Sequence, residues 1–91
     1  MHKVSAAVRS THGQDGAIVL DVQQGQMFNL NLVGSRIFEL VKSGSTEAEI
    51  VDKIGREFGV SRQLAENDVR EFLQTLREYH LIVEHEPGIA I

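Results

Sequence analysis

Histidines at positions 2, 12, 80 and 85 are the residues best suited to proton transfer or metal binding. Only His80 and Glu84 combine a histidine and an acid at i, i+4, the spacing that puts two ligands on one helix face. Leu81, Ile82 and Val83 between them read as buried or extended backbone instead. The stretch "EYHLIVEHE", with His85 and Glu86, therefore reads as a solvated tail and not as a metal site. The serines at 5, 10, 35, 43, 45 and 61 include no G-x-S-x-G elbow, and Ser45 and Ser61 stand where turns and caps belong. The glycines form neither a phosphate loop nor a dinucleotide fingerprint. The chain has 13 acidic residues, but no spacing singles out a catalytic pair, and it has no cysteine. The residue types point away from an enzyme, and no metal or cofactor is expected.

The bulk composition narrows the class. Ninety-one residues suffice for one domain, 1–91, with one modest core over about 4–83. A hydrophobic content of 42% with one proline is globular. The net charge of −4 counts against a nucleic-acid partner, whose binding face needs cations. No apolar run approaches the roughly 20 residues of a membrane helix, and no signal-peptide h-region opens the chain. These features predict a cytoplasmic domain with no membrane partner.

The elements change character once, near residue 31. "VSAAVRST" (4–11) is a weak strand candidate, and "HGQDG" (12–16) has turn chemistry. "AIVLDV" (17–22) is a β-branched, apolar strand. "QQG" turns the chain again, and "QMFNLN" (26–31) is a third strand. Links this short predict an antiparallel meander. Asn31 can then cap a helix whose face is Val33, Ile37, Leu40 and Val41, with Gly44 as its stop. Thr46 and Glu49 form a capping-box pattern ahead of Ile50, Val51, Ile54 and Phe58. Gly59 ends that helix, and Ser61 caps a third running to about Tyr79.

The third helix is the most informative. At 100° per residue with Arg62 at 0°, Tyr79, Phe72, Ala65, Leu76, Val69 and Leu73 span an apolar arc about 120° wide. That width suits packing on one small core, and its rims are placed to border a groove. Asp68 lies beside the Tyr79 rim; Arg70 and Arg77 lie beside the Leu73 rim.

"GAIVLDVQQGQMFNLNLVGSRIFELV", "TEAEIVDKIGREFGV" and "ENDVREFLQTLREYHLI", in this order and spacing, resemble the PqqD-like family over roughly Gly16 to Ile82. Leu30–Asn31, Gly34, Glu49–Val51 and Asp68–Leu76 carry the likeness. Its members are leader-peptide-binding domains of ribosomally made, modified peptides, also called RiPP recognition elements. The resemblance implies an α+β, winged-helix-like unit: a three-stranded antiparallel sheet followed by three helices. It also implies a non-catalytic peptide chaperone. The leader of a precursor peptide would pair with the third strand (Gln26, Met27, Phe28, Asn29, Leu30) and lie against the third helix (Asp68, Val69, Phe72, Leu73, Leu76). The N-terminal part lacks the "LL.PE"-type strand of the pyrroloquinoline quinone member. It is more similar to leader-binding proteins of lasso-peptide clusters, which work beside a separate protease. His80 stands where many relatives end the third helix with glycine.

Strand addition makes physical sense of a site without reactive side chains. An edge strand presents unpaired N–H and C=O groups, and an extended guest satisfies them. Alternate guest side chains then face the third helix, where burying one apolar anchor is worth about 1.5–3 kcal/mol. Arg70 and Arg77 are placed to attract guest carboxylates or else form a solvated face. Met27 and Phe28 must face opposite sides. Leu30 and Val69 read as core before contact. The guest would be presented to a leader protease or a radical enzyme. The alternatives are a winged-helix DNA-binding regulator and a plain dimerisation or adaptor module. Read as a DNA-groove helix, Arg62, Arg70 and Arg77 have Glu66 among them, which is unfavourable beside phosphates.

Overall fold

The computed structural model describes residues 2–84. Its elements are β1 (His2–Val4), β2 (Val8–Gly13), β3 (Gly16–Asp21), β4 (Gln26–Leu30), α1 (Leu32–Lys42), α2 (Glu47–Phe58), α3 (Arg62–Glu78) and β5 (Ile82–Glu84). β2, β3 and β4 form an antiparallel three-stranded sheet in that order, and three helices follow. The expected α+β order holds. The stretch 4–11 is not one strand, however. Val4 ends β1, and a turn follows in which the Ser5 carbonyl accepts from the Val8 N–H at 3.1 Å. β1 pairs antiparallel with β5 instead, so the start of the chain is tied to the segment after α3. His85 and Glu86 lie outside the described residues.

β3 is the spine of the sheet. Its inward residues Ala17, Val19 and Asp21 are buried, whereas Ile18 and Leu20 face solvent. Val19 packs with Ile37, Phe38, Ile50, Ile54, Val69, Leu73 and Leu76 in one core. The helix starts are capped as the sequence predicts. Asn31, Thr46 and Ser61 accept from the N–H groups of Gly34, Glu49 and Leu64. Thr46 and Glu49 complete a capping box, and the two hydrogen bonds to Thr46 hold the Glu49 carboxyl below the usual range.

Helix α3 ends without glycine. Tyr79 is its C-cap, and His80 takes the left-handed conformation at φ 58°. The His80 N–H donates to the Arg77 carbonyl at 3.0 Å, and the Leu81 N–H donates to the Leu76 carbonyl at 2.9 Å. This pair of bonds is a Schellman motif, and its usual hydrophobic contact is available because Leu76 and Leu81 are both buried. The exit is therefore the one a glycine would make, with histidine bearing the strain of positive φ.

A candidate peptide-binding edge and cleft

Two turns position β4. Before it, the buried Asp21 carboxylate accepts from the backbone N–H groups of Gln23 (3.0 Å) and Gln24 (3.2 Å), and the Asp21 carbonyl accepts from Gly25 (2.8 Å). After it, the Asn31 Oδ1 accepts from the Gly34 N–H at 2.8 Å, so the strand passes directly into α1. Opposite the end of β4, a Cβ on Gly16 would lie 1.8 Å from the Leu30 carbonyl oxygen. Only glycine permits that approach, at a φ of 146°.

β4 is an edge strand, and the register shows which of its backbone groups are open. The Val22 N–H donates to the Ala7 carbonyl, extending the β2–β3 ladder, in which residue numbers pair to a constant sum. Even-numbered residues of β3 therefore bond to β2, and Ala17, Val19 and Asp21 bond to β4 at Leu30, Phe28 and Gln26. The N–H and C=O groups of Met27 and Asn29 are left pointing out of the sheet. The side chains follow the alternate pattern: Gln26, Phe28 and Leu30 are half-buried toward the helices, whereas Met27 and Asn29 are exposed on the opposite face. The edge thus offers backbone from Met27 and Asn29 and side chains from Phe28 and its neighbours.

The sheet has a second edge, β2, which differs in character. There the Arg9 guanidinium donates to the carbonyls of Ala6 (2.8 Å) and Val8 (3.1 Å), and Lys42 donates to Ser10 Oγ (3.1 Å). Cations on an edge deter strand addition. β4, by contrast, carries no charged residue from Gln26 to Leu30.

The wall facing β4 comes from α3. The Phe28 ring lies 4.9 Å from the Tyr79 ring at an interplanar angle of 59°. Further along, Asn31, Val33, Gly34, Asp68, Phe72 and Thr75 line an open cavity of about 370 Å³. Gly34 is needed here for closeness: a Cβ on it would lie 3.1 Å from Phe72 Cε1. Asp68 and Phe72 thus sit at the cleft. Val69, Leu73 and Leu76 of the same helix are 0%, 0% and 2% exposed, so they back the cleft from within the core and present no surface to a guest. Arg77 is half-buried, donates to Gln74 Oε1 at 3.0 Å, and by helical phase leaves the rim opposite Asp68. Arg70 is paired with Glu66 at 2.9 Å. Asn31, Val33, Gly34, Thr75 and Tyr79 are cleft residues that the site assignment from sequence left out. The signal for Tyr79 was its place on the rim of the apolar arc beside Asp68.

A family model described as coenzyme PQQ synthesis protein D (PqqD) matches residues 16–82, from the start of β3 to the start of β5. The chain belongs to the PqqD family. Two solved structures are similar to the chain. TbiB1 in complex with the TbiA(beta) leader peptide is 40% identical, with a TM-score of 0.85 over 92% of this chain and 98% of TbiB1. A lasso peptide synthetase B1 complexed with the leader peptide is 20% identical, with a TM-score of 0.82 over 91% of this chain and 98% of its own, and shares the fold. No curated protein matches the chain.

His12 Nδ1 lies 3.4 Å from Ser35 Oγ, on the side of α1 away from the cleft. Among the described residues no three His, Asp or Glu side chains gather as a metal site, and no helix is long and apolar enough to cross a membrane.

Proposed function

We propose that this PqqD-family domain binds the leader of a ribosomally made precursor peptide as a fourth strand on β4. The observation that carries the reading is the unguarded, uncharged edge of β4 beside the α3 wall, in a chain 40% identical to a protein solved with a leader peptide. Guest backbone pairs with Met27 and Asn29. Guest side chains of one parity enter the cleft against Phe28, Phe72 and Tyr79, and Asp68 and Thr75 meet whatever polar group accompanies them. Backbone pairing supplies affinity that tolerates sequence, and the cleft supplies selection. The domain performs no chemistry itself. It acts in the cytosol and presents the precursor to a separate enzyme, a leader protease or a radical enzyme. A DNA-groove helix does not account for the open edge, and Arg70 on that helix is paired with Glu66.

The test is a titration of the labelled chain with the synthetic leader encoded beside its gene, followed by amide NMR. Residues 26–30 should shift most, with protection of the Met27 and Asn29 amides from exchange. Unmoved amides across 26–30 at saturation would overturn strand addition.

A further inference from the structure

Every charged side chain that lines the cleft cavity is acidic. Asp68 and Glu71 stand at its mouth, at i, i+3 on the exposed side of α3. Beneath them the lining is apolar, with half-buried Val33 and Phe72. The strand opposite is neutral from Gln26 to Leu30. The arginines along the same helix are engaged elsewhere: Arg70 pairs with Glu66 at 2.9 Å, and Arg77 donates to Gln74 Oε1 at 3.0 Å. Thr75 lies between the two acids in helical phase, but its hydroxyl donates to the Glu71 carbonyl at 3.1 Å and not to a carboxylate. Among the described residues, neither Asp68 nor Glu71 belongs to an ion pair. Like charges at this spacing repel, so the helix by itself gains nothing from the pair.

We infer that the guest carries a lysine or arginine where it passes this cavity, and that Asp68 and Glu71 select it. The inference rests on the strand-addition reading and narrows it, from any extended peptide to one with a cation at a fixed place. A long basic side chain is apolar along its stem and charged at its head. The stem packs on Val33 and the Phe72 ring, and the head meets two carboxylates that have no cation of their own. A guest carboxylate at the same place meets two like charges, so the wall rejects one peptide as well as attracting another. The sequence of α3, with Arg70 and Arg77 along it, suggests the opposite preference. Helical phase turns both arginines away from the rim that carries Asp68.

The experiment uses the whole chain and the synthetic leader encoded beside its gene, with affinity read by fluorescence anisotropy. Asp68→Asn and Glu71→Gln remove charge and keep shape. Thermal melts check folding, and Asp52→Asn on α2 controls for net charge. Each cleft variant should weaken leader binding about two- to five-fold, the range of an exposed ion pair, and the two together about ten-fold. Raising salt from about 50 to about 300 mM should weaken the parent complex more than that of the double variant. Replacing each leader lysine or arginine by glutamine in turn should find one position whose loss the double variant no longer feels, a coupling that a purely structural role of the acids would not produce. Unchanged or tighter binding by the double variant would overturn the inference, as would a leader with no lysine or arginine, or additive effects at every leader position. In each of those cases the parent still binds, so strand addition stands while the cation is lost. A parent that binds no leader fails at the earlier step and takes this inference with it.

Discussion

His80 shows how one residue can make the turn of another at a cost. Its φ of 58° and the two bonds of the Schellman motif are what glycine provides freely. Left-handed backbone costs a non-glycine residue about 1 kcal/mol. His80→Gly should therefore raise stability by up to about that amount in urea unfolding, offset in part by the greater freedom of glycine in the unfolded chain, and His80→Val should lower it. Gly34 is the converse case. Its missing Cβ lets the Phe72 ring sit over the first turn of α1, so Gly34→Ala should move that ring and remodel the cavity beside it. Leader affinity should fall several-fold while the melting temperature changes little, since alanine is the better helix former by about 1 kcal/mol. Anisotropy titration and a thermal melt read the two effects separately.

At the scale of elements, the edge strand and the helix contact deserve different tests. Proline at position 27 removes an N–H that points out of the sheet, whereas proline at 28 removes one that bonds to β3. Met27→Pro should thus weaken leader binding by ten-fold or more with modest loss of stability, and by more than Arg77→Ala. Phe28→Pro should unfold the edge itself, which circular dichroism would show. Helices α1 and α2 are joined by Arg36, whose Nε donates to Glu57 Oε1 at 2.9 Å, with Glu39 at 3.3 Å. The hydrogen bond from Arg36 holds the Glu57 carboxyl below the usual range and raises the Arg36 guanidinium. Because the folded carboxyl has the lower pKa, its stabilisation is present above the ordinary Glu value near 4.5 and is lost as pH falls through the depressed one. Both side chains are more than a third exposed, so the pair is worth a few tenths of a kcal/mol. Glu57→Gln should cost that much at pH 7 and nothing once the pH has fallen below the depressed Glu57 value, by denaturant titration on either side of it.

At the scale of the molecule, the sheet is only half covered among the described residues. Helices close its inner face, while no described element covers its outer face or the β4 edge. A guest that binds only the folded state must then stabilise the whole domain. At 100 times its dissociation constant, a leader should add about 2.7 kcal/mol to unfolding and raise the melting temperature, and Met27→Pro should abolish that rise. The β1–β5 ribbon also belongs to this scale, because it joins residues 2–4 to residues 82–84 and so fastens the end of α3 that carries Tyr79.

The local elements were legible in the sequence because their signals are local. Asn31, Thr46 and Ser61 cap the helices they were expected to cap, and 26–30 forms the strand expected there. The order of strands and helices followed from the change of period near residue 31, and the family from the spacing of 16–82. Other features depended on contacts between distant parts of the chain. The pairing of β1 with β5 joins segments about 80 residues apart, which no short window reveals. Helical periodicity placed Val69, Leu73 and Leu76 on one arc, but only packing could separate these core residues from Phe72 and Tyr79 at the rim. Likewise, alternation required Met27 and Phe28 to face opposite sides, yet which of them faces α3 was decided by the register with β3, where Phe28 stands opposite the buried Val19. Sequence periodicity sets relative orientation, and tertiary packing sets which side is inside.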